Sequence, residues 1–515
     1  MANRNLFRST FSKLAQPDAR NEAGGAAYRL SAEQALAQYA VTGAFNGTFY
    51  ATAETQLAQV KALAEAVSPD LLARTAVYAR QRGSMKDMPA LLCAVLSTRD
   101  VGLLDRAFPR VMDNGKMVRS FVQMLRSGAV GRRSLGSGPK RMVRAWLDGQ
   151  ADEQLFRQAV GTAPSLADVI RMVHPKPQSA ARSALYGYLL GKRTDEALLP
   201  PLVQAFEAYK ARKKGAPPAV PFQMLTGLEL DAEAWKGIAA QASWQVTRQG
   251  LNTFLRQGVF EDAALTARIA ARLADAAEVR RARAFPYQLM MAFMAADERV
   301  PRAVRDALQD AMEVALENVP RLPGRVAVCL DVSGSMQSPV TGHRKGATSK
   351  VRCVDVAALV AAAVLRKNPQ AEVLPFDTAV RRVDLNGRDS VMTNARRLAL
   401  HGGGTDCASA LRALNAAKAK VELVVFVSDN ESWVDKSVGR GTATLREWAE
   451  LKRRSPGAKL VNIDVQPYGT TQTPSGDDIL NVGGFSDAVF DVVAAFASSR
   501  GGADHWVETI RNVKI

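Results

Sequence analysis

The sequence predicts two domains of different class: an all-α array of paired helices over residues 1–320 and a doubly wound α/β domain over residues 321–515. Three observations carry this. A chain of 515 residues exceeds what one hydrophobic core supports. From residue 31 to 318, Ala, Leu and Val recur at spacings of three and four with little two-residue alternation, the period of helices. Beyond residue 325, short apolar runs alternate with helical segments, the pattern of a parallel sheet covered on both faces.

Taken in order, the clearest helical unit runs from Ser68 to Gly83. Ser68 can cap, Pro69 suits the first turn, Leu71, Leu72, Ala76 and Ala79 make an apolar stripe, and Gly83 stops the helix. A second unit, Met88 to Thr98, follows at once. Short paired helices that cannot bury their own apolar faces favour an α-solenoid of HEAT-like repeats, although no exact repeat is present. The run Val319-Pro-Arg-Leu-Pro-Gly324 breaks the last helix, and an apolar strand over 325–330 follows. Residues 371–376, 421–427 and 459–465 fit strands buried on both faces, with helices near 353–367, 405–418, 443–454 and 485–498 between and after them. The last residues, 504–515, read as a helix that packs back on the first domain.

With 47% hydrophobic and 23% charged residues, the composition is that of a globular protein. Its net charge of +18 and pI near 9.9 attract polyanions, so nucleic acid or an anionic membrane surface is the first partner class to consider. Cys93, Cys329, Cys353 and Cys407 form no Cys-x-x-Cys pair, which argues against a disulfide framework or a cysteine zinc site and for a reducing cytoplasm. The most apolar run, Val356 to Leu365, is about half the length that crosses a bilayer. Residues 1–34 show no apolar core followed by a cleavage site, so a cytoplasmic monomer with no membrane partner is expected.

Asp331-Val-Ser-Gly-Ser335 follows the first apolar strand, where open α/β sheets place their ligands. Two further polar clusters fall at equivalent strand ends: Gly402-Gly-Gly-Thr-Asp406 and Ser428-Asp-Asn-Glu431. Carboxylates and hydroxyls gathered without His or Cys suit a hard cation, Mg²⁺ with Mn²⁺ as the alternative. The ligand set is Asp331, Ser333, Ser335, Thr405 and Asp429. These residues resemble the metal-ion-dependent adhesion site of von Willebrand factor A domains, Asp-x-Ser-x-Ser, then Thr, then Asp, with all five positions filled. Simple capping of the next helix explains only the first loop, and a nucleophilic serine finds only His343 and His401 nearby in sequence, so catalysis is not expected.

Between Lys116 and Arg144 stand Lys116, Arg119, Arg126, Arg132, Arg133, Lys140, Arg141 and Arg144 with no Asp or Glu, and four glycines place a flexible loop among them. One-signed charge on this scale suits phosphate binding, against the alternative of a solvated helical face. Arg171-Met-Val-His-Pro-Lys-Pro177 forms a rigid polar corner, in which His174 either contacts RNA or satisfies a buried carbonyl. Lys210, Arg212, Lys213 and Lys214 read as a solvated basic turn.

With both halves in view, the chain resembles the Ro ribonucleoprotein (TROVE-domain) family over nearly its whole length. The stretches that carry the resemblance are Asn21-Glu-Ala-Gly-Gly25, Gly43-Ala-Phe-Asn-Gly-Thr-Phe-Tyr50, Met88-Pro-Ala-Leu-Leu92 and His174-Pro-Lys-Pro177, in that order before an A domain. The resemblance implies a ring of helical repeats whose outer basic face binds the stem of a Y RNA, while its hole takes single-stranded ends of misfolded or partly degraded RNA. It implies a role in RNA quality control, maturation or turnover, with an exoribonuclease, polynucleotide phosphorylase, tethered through a Y-like RNA. His174 and Lys176 match the family's RNA-contacting corner, Arg157 lies in the preceding basic helix, and Gly161 stands where a second basic residue is expected. The rival expectation is a metal-dependent protein-interaction scaffold with no direct RNA role; a membrane-surface adaptor lacks a Trp-rich amphipathic anchor.

Overall fold

Ser68 accepts a hydrogen bond from the Leu71 amide at 3.2 Å, and with Pro69 in the first turn the helix Pro69–Gln81 starts where its cap directs. It buries Leu71, Leu72, Ala76 and Ala79 against its neighbours, chiefly the helices Asp87–Arg99 and Val101–Val111. Paired helices of this kind continue from Ala32–Thr42 to Arg302–Ala315. The computed structural model describes residues 14–43, 45–212, 217–225, 227–228, 230–282, 284–343, 349–433, 441–484, 486–498 and 504–515. Residues 1–13 of the N-terminal stretch, and Lys213 and Lys214 of the basic turn, lie outside them.

The second half is built on five parallel strands in the order Glu372–Phe376, Val326–Asp331, Leu423–Ser428, Lys459–Asp464, Ile479–Gly483. The expected helices are present as Cys353–Lys367, Ala408–Ala416, Ala443–Arg454 and Asp487–Ser498. The strands Ile479–Gly483 and Thr470–Thr471 and the helix Val391–Leu398 were not expected. The strand Ile479–Gly483 carries a buried polar residue at its centre, made tolerable by pairing: Asn462 donates to Asn481 at 2.7 Å, and Thr471 donates to the same oxygen at 2.8 Å.

The helical array meets the sheet domain at both ends. Its first helix packs on the strand Ile479–Gly483, and its last two, Pro286–Ala295 and Arg302–Ala315, pack on Cys353–Lys367 and Val391–Leu398. Both ends of the array therefore rest on the α/β domain. The tail folds back as its sequence suggests, with the helix His505–Arg511 on Pro69–Gln81 and Trp506 Nε1 donating to the Tyr78 hydroxyl at 3.3 Å. Val513 and Lys514 carbonyls accept from Arg74 and Arg110.

Residues near the N-terminus join the α/β domain as well. The two-residue strand Ala19–Arg20 pairs with Ala26–Arg29, which pairs in turn with Thr470–Thr471. Asn21 Nδ2 donates to the Ser432 carbonyl at 2.7 Å, and a Cβ on Gly25 would lie 2.0 Å from that same oxygen. Backbone offers no way to yield, so Gly25→Ala is expected to cost about 1–3 kcal/mol through forced separation of the two segments. Chemical denaturation of the variant checks this, and unchanged stability would mean that the two segments do not touch.

Candidate metal centre and nucleic-acid interface

Asp331 ends a fully buried strand, so its carboxylate is delivered to the C-terminal edge of the sheet. One oxygen accepts from the Ser333 amide at 2.8 Å and the other from the Ser428 hydroxyl at 2.6 Å. The Ser333 and Ser335 hydroxyls stand 3.3 Å apart. The second loop is fastened to the first by Gly334 N donating to Gly403 O at 2.8 Å. The third loop is fastened to the second through the Thr405 carbonyl, which accepts from Trp433 N at 3.2 Å and Ser432 Oγ at 3.4 Å. The fold thus gathers the three loops, and all five candidate ligands are buried.

Asp429 Oδ1 accepts from the Glu431 amide at 3.3 Å, while Oδ2 is buried without a partner. Burial, and then the neighbouring Asp331, push the Asp429 carboxyl up to about 7, and burial raises Asp331 too. Two adjoining carboxylates, three hydroxyls and an orphaned oxygen fit a hard divalent cation, which would supply the missing partner and the countercharge. The described residues contain no group of three or more His, Cys, Asp or Glu able to hold a metal, so any cation here depends on the hydroxyls.

Several residues around the site escaped the sequence reading. Asp377, just past the strand Glu372–Phe376, accepts from Gly403 N at 3.2 Å and pairs with Arg381. Burial raises its carboxyl, but Arg381 and the Gly403 and Ala379 amides outweigh that and hold it down to about 2. Its signal was present: a carboxylate immediately after an apolar run. Ser428 lay inside a cluster already singled out. Tyr50 comes up beside Ser335 from the other half of the chain, and nothing local announces that.

Behind the ligands lies a second acidic layer. Glu431 Oε2 accepts from Ala23 N at 3.1 Å, and burial followed by the nearby Asp429 pushes this carboxyl up to about 9. Asp464, bonded by Gln38, is raised well above its ordinary range by burial, then by Asp429 and Glu431. Carboxyls raised in the folded state stabilise it below their unfolded values, and that stability is lost as pH rises through the folded ones. The cation-free protein should therefore lose thermal stability progressively from about pH 4 through 7 and on toward 9. Melting with chelator present across that range is the check, and a flat profile would contradict it.

On the helical side, the basic stretch spans the helices Gly115–Arg126 and Ser137–Asp148 and the loop between them. The structure divides it. Arg119 is half-buried and bonds Gly115 O at 3.2 Å and Pro164 O at 3.5 Å, burial holding its guanidinium below the ordinary value. Arg144 bonds the Val173 carbonyl, and Arg157 bonds Ala219 O at 3.0 Å and pairs with Glu153 at 3.5 Å. Arg132 bonds Leu135 O at 3.3 Å, and Arg141 faces the exposed Asp105 at 3.4 Å. Lys116, Arg126, Arg133, Lys140 and Lys176 make no ion pair among the described residues. Arg182 is buried on Asp152 and Leu147 O, a structural use, and Lys210 pairs with Glu207.

His174 ends the helix Leu166–Val173 in a left-handed conformation, with φ at 49°, and is exposed, so it does not satisfy a buried carbonyl. It stands on the rim of a cleft of about 850 Å³ between that helix and Ala180–Leu189, with Arg171, Lys192 and Arg193 on the same rim and Ile170, Ala184 and Leu190 lining it. No helix among the described residues is long and apolar enough to cross a membrane.

Residues 325–497 match the family model of the Ro60 vWA domain, vWA standing for von Willebrand factor A. The chain is 28% identical to the RNA-binding protein RO60 of Deinococcus radiodurans, across 96% of this chain and 97% of that one. The chain is similar to Ro proteins over nearly its whole length. A second RNA-binding protein RO60, from Caenorhabditis elegans, is 25% identical over 45% of this chain and 36% of its own length. The fold agrees with the crystal structure of the Deinococcus radiodurans RO (RSR) protein at a TM-score of 0.63 and 24% identity, covering 92% of this chain and all of that one. A helical array followed by a Ro-type A domain is thus the architecture of both.

Proposed function

We propose that this protein is a noncatalytic RNA-binding scaffold that holds Y-like noncoding RNA on its helical array and takes single-stranded ends of misfolded or partly degraded RNA. The observation that carries this reading is the cleft beside His174. Its rim carries Arg171, His174, Lys192 and Arg193, and Lys176 stands exposed beside it, a cluster of donors suited to the phosphates of a structured RNA. Two relatives named RNA-binding proteins support it. The A-domain loops hold Mg²⁺ on Asp331, Ser333, Ser335, Thr405 and Asp429, with Mn²⁺ as a substitute; the cation's part is charge neutralisation and partner capture. The protein works as a cytoplasmic monomer in RNA quality control or turnover, alongside an exoribonuclease such as polynucleotide phosphorylase. Free, buried cysteines agree with a reducing compartment.

Binding of one RNA in linear, circular and duplex forms, to wild type and to His174→Ala/Lys176→Ala, is the test. The linear form with a free end should bind best, since threading through an array whose two ends rest on one domain needs an end. The double variant should weaken a structured stem-loop and spare the threaded end. Equal affinity for linear and circular RNA would leave surface electrostatics as the whole account.

A further inference from the structure

We propose that residues 45–50 form an internal lid over the A-domain metal loops, with Tyr50 standing where an external carboxylate would reach the cation; this rests on the metal reading given above. The Tyr50 hydroxyl lies beside Ser335, within electrostatic reach of Asp429, Glu431 and Asp331. The ring packs edge-on against Tyr468, with centroids 5.5 Å apart, and Phe49 packs on its other side at 4.7 Å. A phenol so placed would cover the site from outside, and the five candidate ligands, at a sheet edge usually open to solvent, are all buried.

The lid is fastened rather than merely adjacent. Asn46 Nδ2 donates to Thr341 O at 2.7 Å, and His343 N donates to Gly47 O at 2.7 Å, tying the start of the 45–50 segment to the loop that follows Ser335. Gln56, on the helix Ala53–Ala66 that begins directly after the lid, donates to Asn46 O at 2.7 Å. A second segment of the same half, 21–25, grips the third metal loop through Ser432 O and Glu431. Two sequence motifs that the RNA reading leaves without a task therefore share one: they clamp the helical array onto the metal loops. Its fastenings are few, and Phe49 is 54% exposed, so the lid can lift without unfolding the helices on either side. A partner's acidic side chain and Tyr50 would then compete for one face of the cation, and the site would respond to whatever moves the first helices.

The full-length protein tests this with Mn²⁺ as probe. Calorimetry gives the bound fraction, and water-proton relaxation per bound Mn²⁺ reports how many exchanging waters reach the ion, with and without acetate. Wild type should show low relaxation that acetate leaves unchanged. In Tyr50→Ala, relaxation should rise at least about two-fold, because the ion regains water where the phenol stood, and acetate should lower it. Tyr50→Phe should stay near wild type, since the ring still covers the site. Asn46→Ala, which releases the lid without touching the ring, should move in the direction of Tyr50→Ala and gives the same reading if Tyr50→Ala folds poorly. Mn²⁺ bound by Tyr50→Ala but not by wild type would support the lid in its tightest form. Equal relaxation and equal acetate response in wild type, Tyr50→Ala and Asn46→Ala would overturn the lid while leaving the metal reading intact. Failure of every form to bind Mn²⁺ would overturn both.

Discussion

Asp331→Ala is expected to abolish Mn²⁺ and Mg²⁺ binding while leaving RNA affinity within about two-fold of wild type, because distant sites without shared partners add independently. The carboxylate sits at the end of the central strand, shares the loop with two of the hydroxyl ligands and faces the second carboxylate, Asp429. Removing it leaves one acidic ligand, which is too little charge to strip water from a hard cation. Thermal melting reads the loss directly. Wild type at a hundred-fold excess of cation over its dissociation constant should gain about 2.7 kcal/mol of stability, and the variant none. A second effect follows from the electrostatics. The Asp429 carboxyl is raised by burial and then by Asp331, so the variant should bring it down and flatten the pH dependence of the cation-free protein. A cation-induced shift that survives in Asp331→Ala would show that the ligands lie elsewhere.

Local chemistry made much of the fold legible and distance hid the rest. Ser68 and Pro69 start their helix where the caps direct, and the helices Cys353–Lys367 and Ala443–Arg454 have the ends their sequences suggest. The strand Ile479–Gly483 was not legible because its central Asn481 is acceptable only once Asn462, Thr471 and Thr473 surround it. The metal loops could be read, since each puts oxygen ligands directly after a strand or before a helix. Tyr50 could not, because it reaches Ser335 across 285 residues of chain. Gly161 shows the same limit on the RNA side. It stands where a basic side chain was expected, but its φ is +110° and the Arg119 guanidinium covers it so closely that a Cβ would lie 2.1 Å from Arg119 Nη1. The space beside it is taken by an arginine from another helix, itself bonded to the Gly115 and Pro164 carbonyls.

Replacing Arg132, Arg133, Lys140 and Arg141 together by Ala should weaken binding of structured RNA and make it less dependent on salt. Every phosphate that a cationic side chain neutralises sets free close to one counterion, so four fewer such cations should flatten the slope of log affinity against log salt by about three. The contributions should be unequal. Arg133 and Lys140 have no ion partner among the described residues and keep their full charge for phosphate, whereas Arg132 spends part of its guanidinium on Leu135 O. Arg141 is held by an exposed pair with Asp105 worth about 0–1 kcal/mol, so a phosphate displaces that partner at little cost. Arg119 and Arg144 lie in the same stretch but act differently: each bonds a backbone carbonyl of a neighbouring segment, so Arg119→Ala and Arg144→Ala should lower stability by about 1–3 kcal/mol. Salt titrations of RNA binding beside denaturant curves for all six positions separate the two groups. Loss of affinity with unchanged stability at Arg133 and Lys140, set against loss of stability at Arg119 and Arg144, is the expected pattern. An unchanged slope in the quadruple variant would make the stretch a solvated helical face and confine RNA to the cleft beside His174.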